Sequence, residues 1–203
     1  MYNILGKEAY MANDYSQDLA NSLKIKFAEL GIHHTFDHEH GAFYFNLRIE
    51  GKVKTLSCAI LVRHTEYITY MTSPIAADIS DVSSMNQLSE LLHRINRTVS
   101  RGCFELDFDD GDIRYKIYTD CSETPLTKIT LTKAILIPSF MFLTYSDAIN
   151  RVIFNHAKAK DITVQRPDSF TVPMIEGFKE ILRRALSEDE DDTNTHKPTN
   201  MMS

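Results

Sequence analysis

The chain has 203 residues, 43% of them apolar, with a net charge of −6 and a pI near 5.7. A chain of this length buries roughly 70% of its unfolded surface, which supports one substantial core. The acidic balance and the lack of a Lys/Arg cluster disfavour a nucleic-acid partner, whose binding leans on phosphate neutralisation. Cys58, Cys103 and Cys121 show no C-x-x-C spacing, which argues against a disulfide framework or cysteine zinc site and for a reduced, cytoplasmic protein.

Residues 1–12 include Tyr2, Ile4, Leu5 and Tyr10, too apolar for a solvated tail; a short helix docked on the body or on a neighbouring chain is expected. Glu8 interrupts any apolar leader, and no run approaches the ~20 apolar residues that span a bilayer, so neither secretion nor a membrane partner is expected. Asp14 and Gln17 have capping-box spacing ahead of Leu19, Leu23, Phe27 and Leu30, which predicts a first helix with Gly31 as its stop.

Next comes a histidine-rich passage, His33, His34, His38 and His40, with Asp37 and Glu39 among them. Imidazole and carboxylate ligands suit zinc, but His34 and His38 on one extended strand stand ~14 Å apart, too far for one ion. A turn over residues 37–41 would bring His38 and His40 together, and they are the metal candidates. No recognised ligand spacing is present, so the expectation is a polar turn between strands at 32–36 and 42–49, without a metal or other cofactor.

Phe43, Phe45, Leu47 and Ile49 alternate with Tyr44, Asn46 and Arg48, the pattern of a strand with one buried face. Glu50-Gly51-Lys52 is read as its turn. Residues 56–62 are apolar at nearly every position, as in a strand covered on both faces. A further strand is expected at 67–71, ended by Pro74.

From Ser84 the pattern becomes helical: Met85, Leu88, Leu91, Leu92, Ile95 and Val99 share one face, Ser84 and Gln87 have capping-box spacing, and Gly102 is read as the stop. Two alternating runs then flank Asp110-Gly111. A two-residue turn there would pair residues whose numbers sum to 221, facing Phe108 with Ile113, Leu106 with Tyr115, Phe104 with Ile117, Asp107 with Arg114 and Glu105 with Lys116. Asp109, Asp110 and Asp112 lack the spacing of an EF-hand loop and read as turn residues.

Thr124-Pro125 favours helix initiation. Pro138 is expected to break that helix, with a second helix over 139–156 whose Met141, Tyr145, Ala148, Ile149, Val152 and Ile153 stripe is widened by Phe140, Phe142, Leu143 and Phe154. Residues 166–187 read as a linker and an amphipathic helix bearing Met174, Phe178, Ile181, Leu182 and Leu186. The acidic block Glu188 to Asp192 opens an expected disordered tail over 188–203.

The run Leu88-x-x-Leu91-Leu92-x-x-Ile95-Asn96-Arg97, followed by Gly102-x-Phe104-Glu105-Leu106-Asp107 and Gly111-Asp112-Ile113-Arg114-Tyr115, resembles the central segment of the bacterial YbjN-like family of putative sensory transduction regulators. The similarity extends over about residues 19–155. It implies a fold like that of type III secretion chaperones and a protein-binding, chaperone-like or regulatory role. These are fold markers, and the resemblance brings no catalytic residue with it.

No nucleophile elbow, phosphate-binding loop, dinucleotide fingerprint or H-E-x-x-H is present. The expectation is an α+β domain over residues 1–165, with an antiparallel sheet carrying helices on one face, and a non-catalytic protein-binding function. The alternatives are a metal-binding protein using residues 33–40 and an enzyme whose site is assembled from distant residues. Leu56, Ile60, Val62, Phe140, Phe142, Phe154, Phe178 and Leu182 are the candidate interface residues, for a homodimer contact or an unknown protein client, since so much apolar surface exceeds what one helix layer covers.

Overall fold

The computed structural model describes residues 14–49 and 55–164. The expected segments at 1–12 and 166–203, the turn at 50–52, and the interface candidates Phe178 and Leu182 lie outside the described residues.

The elements run α1 (Gln17–Leu30), β1 (Thr35–Asp37), β2 (Ala42–Arg48), β3 (Thr55–Val62), β4 (Glu66–Thr72), α2 (Val82–Asn96), β5 (Cys103–Leu106), β6 (Ile113–Asp120) and α3 (Lys128–Asn155), with a short 3-10 turn at Ala159–Asp161. The six strands form one antiparallel sheet in the order β1-β2-β3-β4-β6-β5. The class is α+β, and the described helices pack on one face of the sheet, as the sequence patterning predicts.

Strand periodicity decides which side chains meet those helices. Phe43, Phe45 and Leu47 of β2, Cys58 and Ile60 of β3, Met71 of β4, Phe104 of β5, and Tyr115 and Ile117 of β6 share the helix face. Phe27 of α1 lies against Phe43 and Phe45, and Phe142 of α3 meets the Phe104 ring edge-on at 5.2 Å. The opposite face bears a smaller buried cluster, Ala42, Ala59, Leu61, Ile68 and Tyr70, with Tyr44 packed against it. The uninterrupted apolarity of β3 thus corresponds to burial on both faces.

Several helix boundaries differ from expectation. The N-cap of α1 is Ser16, whose Oγ accepts from the Leu19 N–H, while Asp14 instead bonds His64 at 2.8 Å. Gly31 does end α1, in the left-handed conformation. The cap of α2 is Asp81, whose carboxylate accepts from the Ser84 N–H. Ser84 and Gln87 are released from capping and bind the far end of α3: Ser84 Oγ lies 3.1 Å from His156 Nδ1, and Gln87 Oε1 accepts from the Ala159 N–H. Helix α2 closes at Asn96, short of Val99, so Gly102 is no helix stop. It enters β5 with φ 78, where a Cβ would overlap the Lys116 carbonyl oxygen and the Tyr115 ring.

The 103–120 hairpin keeps the predicted faces and shifts the register by two. Phe104 pairs with Tyr115, Leu106 with Ile113 and Glu105 with Arg114, a sum of 219. The connection is a four-residue loop in place of two: the Asp107 N–H donates to Asp112 O, the Gly111 N–H donates to Asp107 O, and Asp107 and Asp110 carboxylates accept the N–H groups of Asp109 and Asp112. Asp107 is therefore a turn cap rather than the partner of Arg114, and Phe108 sits exposed at the loop instead of facing Ile113.

No break occurs at Pro138. Helix α3 continues through it and runs 28 residues from Lys128, with Thr127 as its N-cap, after Pro125. An interior proline costs ~3 kcal/mol, whereas each buried Leu, Ile or Phe returns ~1.5–3 kcal/mol. Leu131, Ile135, Leu136, Met141 and Phe142 are all buried around it, so burial wins. By length and composition alone α3 is long and apolar enough to cross a membrane, and 61% of its most apolar window is buried within the protein.

Candidate protein-interaction surface

The histidine passage folds into a turn. Asp37 Oδ1 accepts the N–H groups of Glu39 and His40, and its Oδ2 stands 2.8 Å from His40 Nδ1. His34 is stacked among Phe27 and Phe43, and the His38 ring meets Phe36 edge-on. His38 and His40 are thereby engaged differently, one by an aromatic ring and one by a carboxylate. Among the described residues no group of three or more His, Cys, Asp or Glu side chains is placed to hold a metal ion. The Asp37–His40 pair is electrostatically live: the bond to Asp37 lifts the His40 pKa above its ordinary value against slight burial. Burial pushes Asp37 up, but the bonds from the His40 ring and the two N–H groups more than offset it.

A second meeting of polar groups joins Asp81, Ser84 and His156. Its composition is that of a hydrolytic triad, but its geometry is a tether. Asp81 Oδ2 at 3.4 Å and Ser84 Oγ at 3.1 Å both address Nδ1 of His156, whereas proton relay needs the serine on the other ring nitrogen. His156 is also the one described non-glycine residue in the left-handed conformation (φ 50), capping α3 where it turns to meet α2. Cys58 is enclosed, and burial raises its thiol pKa far above the reactive range.

The candidate interface residues separate by burial. Leu56, Ile60, Val62 and Phe142 are enclosed in the chain's own core and have no surface to offer a partner. Phe140 is partly buried, and Phe154 is 62% exposed. Besides Ile25, Tyr118 and Ile129, the exposed large apolar side chains are Ile79 at 49%, Val82 at 65% and Phe108 at 56%, the last turned inward by the hairpin pattern read from the sequence.

These three and Phe154 belong to one end of the sheet. Ser73 N–H donates to Ile113 O and Ala77 N–H to Gly111 O, stitching the β4–α2 crossing to the 107–112 loop. The Asp81–Ser84–His156 tether brings the end of α3 to the start of α2. Ile79, Val82, Phe108 and Phe154 each lie within three residues of one of these bonds. A sequence signal existed: Ile79 and Val82 stand in D-I-S-D-V and Phe108 in D-F-D-D, and an apolar side chain set among aspartates rarely enters a core.

The fold and this surface define an α+β protein built on a single antiparallel sheet, with a closed helix-side core and an apolar, acid-flanked end. Set against protein-family models and against curated proteins, the chain matches none.

Proposed function

We propose that this chain is a non-catalytic protein-binding module, chaperone-like or regulatory, of the kind its resemblance to YbjN-like proteins implies. The observation that carries the reading is that four of the seven large exposed apolar side chains among the described residues, Ile79, Val82, Phe108 and Phe154, lie on segments that hydrogen bonds join at one end of the sheet. Contiguous exposed apolar surface beyond a few hundred Å² marks interaction sites on soluble proteins. The residues behind the family resemblance fit a scaffold role: Leu88, Leu91, Leu92 and Ile95 are buried, and Asn96 holds the outer edge of β5.

The test is photo-crosslinking in the native cell with a reactive residue at position 108 or 154, against a control at Ile25, which is 59% exposed on α1. Discrete protein adducts at 108 and 154 and none at 25 are expected. Equal labelling at all three, or none, overturns the proposal.

A further inference from the structure

The same end of the molecule carries a charge pattern that narrows the partner, and we infer that it docks a basic amphipathic segment: a partner chain presenting apolar anchors flanked by Lys or Arg. This rests on the protein-binding reading above and adds the chemistry of what is bound. The segments 74–82 and 107–112 contain Asp78, Asp81, Asp107, Asp109, Asp110 and Asp112 and no lysine or arginine. Within and beside them stand the exposed Ile79, Val82 and Phe108. The carboxylates are held in place: Asp78 accepts from the Ser80 N–H and hydroxyl, Asp81 from the Ser84 N–H, Asp107 from the Asp109 N–H and Asp110 from the Asp112 N–H. Bonds from neutral N–H groups and the Ser80 hydroxyl orient these side chains without neutralising them, while Asp81 also faces His156 Nδ1 at 3.4 Å.

The negative field is felt locally, since burial and then the neighbouring Asp110 and Asp107 raise the Asp112 pKa against the opposing pull of Arg114. Near Phe154 in the sequence stand Arg151, Lys158 and Lys160, together with Asp161. Acidic charge is concentrated in the 74–82 and 107–112 segments.

Charge complementarity selects the occupant. An anionic lipid surface or a nucleic acid would be repelled by the aspartates, and a second copy of this end would oppose like charge to like. A segment with an apolar face and cationic flanks meets both features: anchors over Val82 and Phe108, and lysines or arginines over the aspartates. Apolar contact supplies the affinity, while charge governs approach and selection.

The experiment is fluorescence anisotropy of the full chain with three labelled helical peptides of matched length: Leu/Phe face with Lys flanks, the same face with Glu flanks, and a Ser face with Lys flanks. The first is expected to bind and to weaken roughly tenfold or more as salt rises, because surface charge attraction is screened. Phe108→Ser should weaken it, and so should Asp78→Asn/Asp110→Asn, which keeps both acceptor oxygens and removes two charges; thermal unfolding confirms that each variant folds. Equal binding of the Glu-flanked peptide overturns the basic partner and leaves the protein-binding proposal standing. Equal binding of the Ser-faced peptide overturns the apolar anchors. Binding of none overturns the inference, while the crosslinking at 108 and 154 separately decides the parent reading.

Discussion

Asp37 and His40 form the clearest titrating pair in the described chain, and the signs of their shifts fix when it stabilises. The folded-state pKa of His40 is raised above 6.5, so its contribution is fully present below pH 6.5 and is lost as pH rises through the higher folded value. That of Asp37 is lowered from 3.8, so its contribution is present above pH 3.8 and is lost as pH falls through the lower folded value. Both are charged between these limits. His40→Ala should therefore destabilise more at about pH 5.5 than at about pH 9, measured by denaturant unfolding; an equal loss at both would show that the charged pair contributes nothing. Asp112 shows the opposite carboxylate behaviour. Its folded pKa is raised, chiefly by burial and then by Asp110 and Asp107, so its ionised form weakens the fold at neutral pH. Asp112→Asn should raise the melting temperature at neutral pH, with the gain vanishing in acid below pH 3.8.

At the scale of elements, Asn96 does what an extra strand would do. Its amide accepts the Phe104 N–H at 2.8 Å and donates to the Phe104 carbonyl at 2.9 Å, closing the outward-facing edge of β5. Asn96→Ala strips both partners at once and should cost about 1–3 kcal/mol, with faster hydrogen exchange at the Phe104 amide. The hairpin register is tested by a double-mutant cycle. Arg114 Nε lies 2.7 Å from Glu105 Oε2, and Lys116 reaches the same carboxylate at 3.4 Å. Exchanging Glu105 and Arg114 should recover part of the loss from either single reversal, about 0.2–1 kcal/mol of coupling. The pair Asp107 and Arg114 should show none. Alternation made both faces of this hairpin legible in the sequence, because a shift of two leaves every side chain on its own face. The register was not legible, since Asp110-Gly111 serves a two-residue turn and a four-residue loop alike. What selects the latter is Asp107 capping its own loop and Gly111 meeting Ala77, a contact 34 residues away in the chain. The cap of α2 failed similarly: Asp81 and Ser84 are both good caps three residues apart, and only the His156 contact shows where Ser84 is used. For the interaction surface, apolarity announced that residues 56–62 and 140–154 would be buried, but composition alone does not distinguish a chain's own core from a partner.

Across the whole molecule, the sheet, the β4–α2 crossing and the hairpin loop are joined at one end by close backbone approach. Gly111 sits there with φ 79, and a Cβ at that position would overlap the Ala77 carbonyl oxygen, with the Ala77 carbonyl carbon and nitrogen close behind. Gly31, with φ 70, also adopts the left-handed conformation, but nothing lies within 4 Å of where its Cβ would stand. The two glycines thus separate conformational strain from long-range packing. Gly31→Ala carries only the strain of a left-handed alanine, about 1–2 kcal/mol. Gly111→Ala carries the same strain and must also push the 74–82 crossing off the hairpin, breaking the Ala77–Gly111 hydrogen bond at 2.9 Å. Its cost should exceed that of Gly31→Ala by at least the ~1 kcal/mol of a lost hydrogen bond. Hydrogen exchange should localise the difference, with protection lost at Ala77 and at the start of α2 in Gly111→Ala and retained there in Gly31→Ala. Equal destabilisation by the two substitutions, with α2 protection unchanged, would mean that the crossing and the hairpin loop do not hold each other. The acid-flanked apolar end would then have no fixed frame on which to present Ile79, Val82 and Phe108.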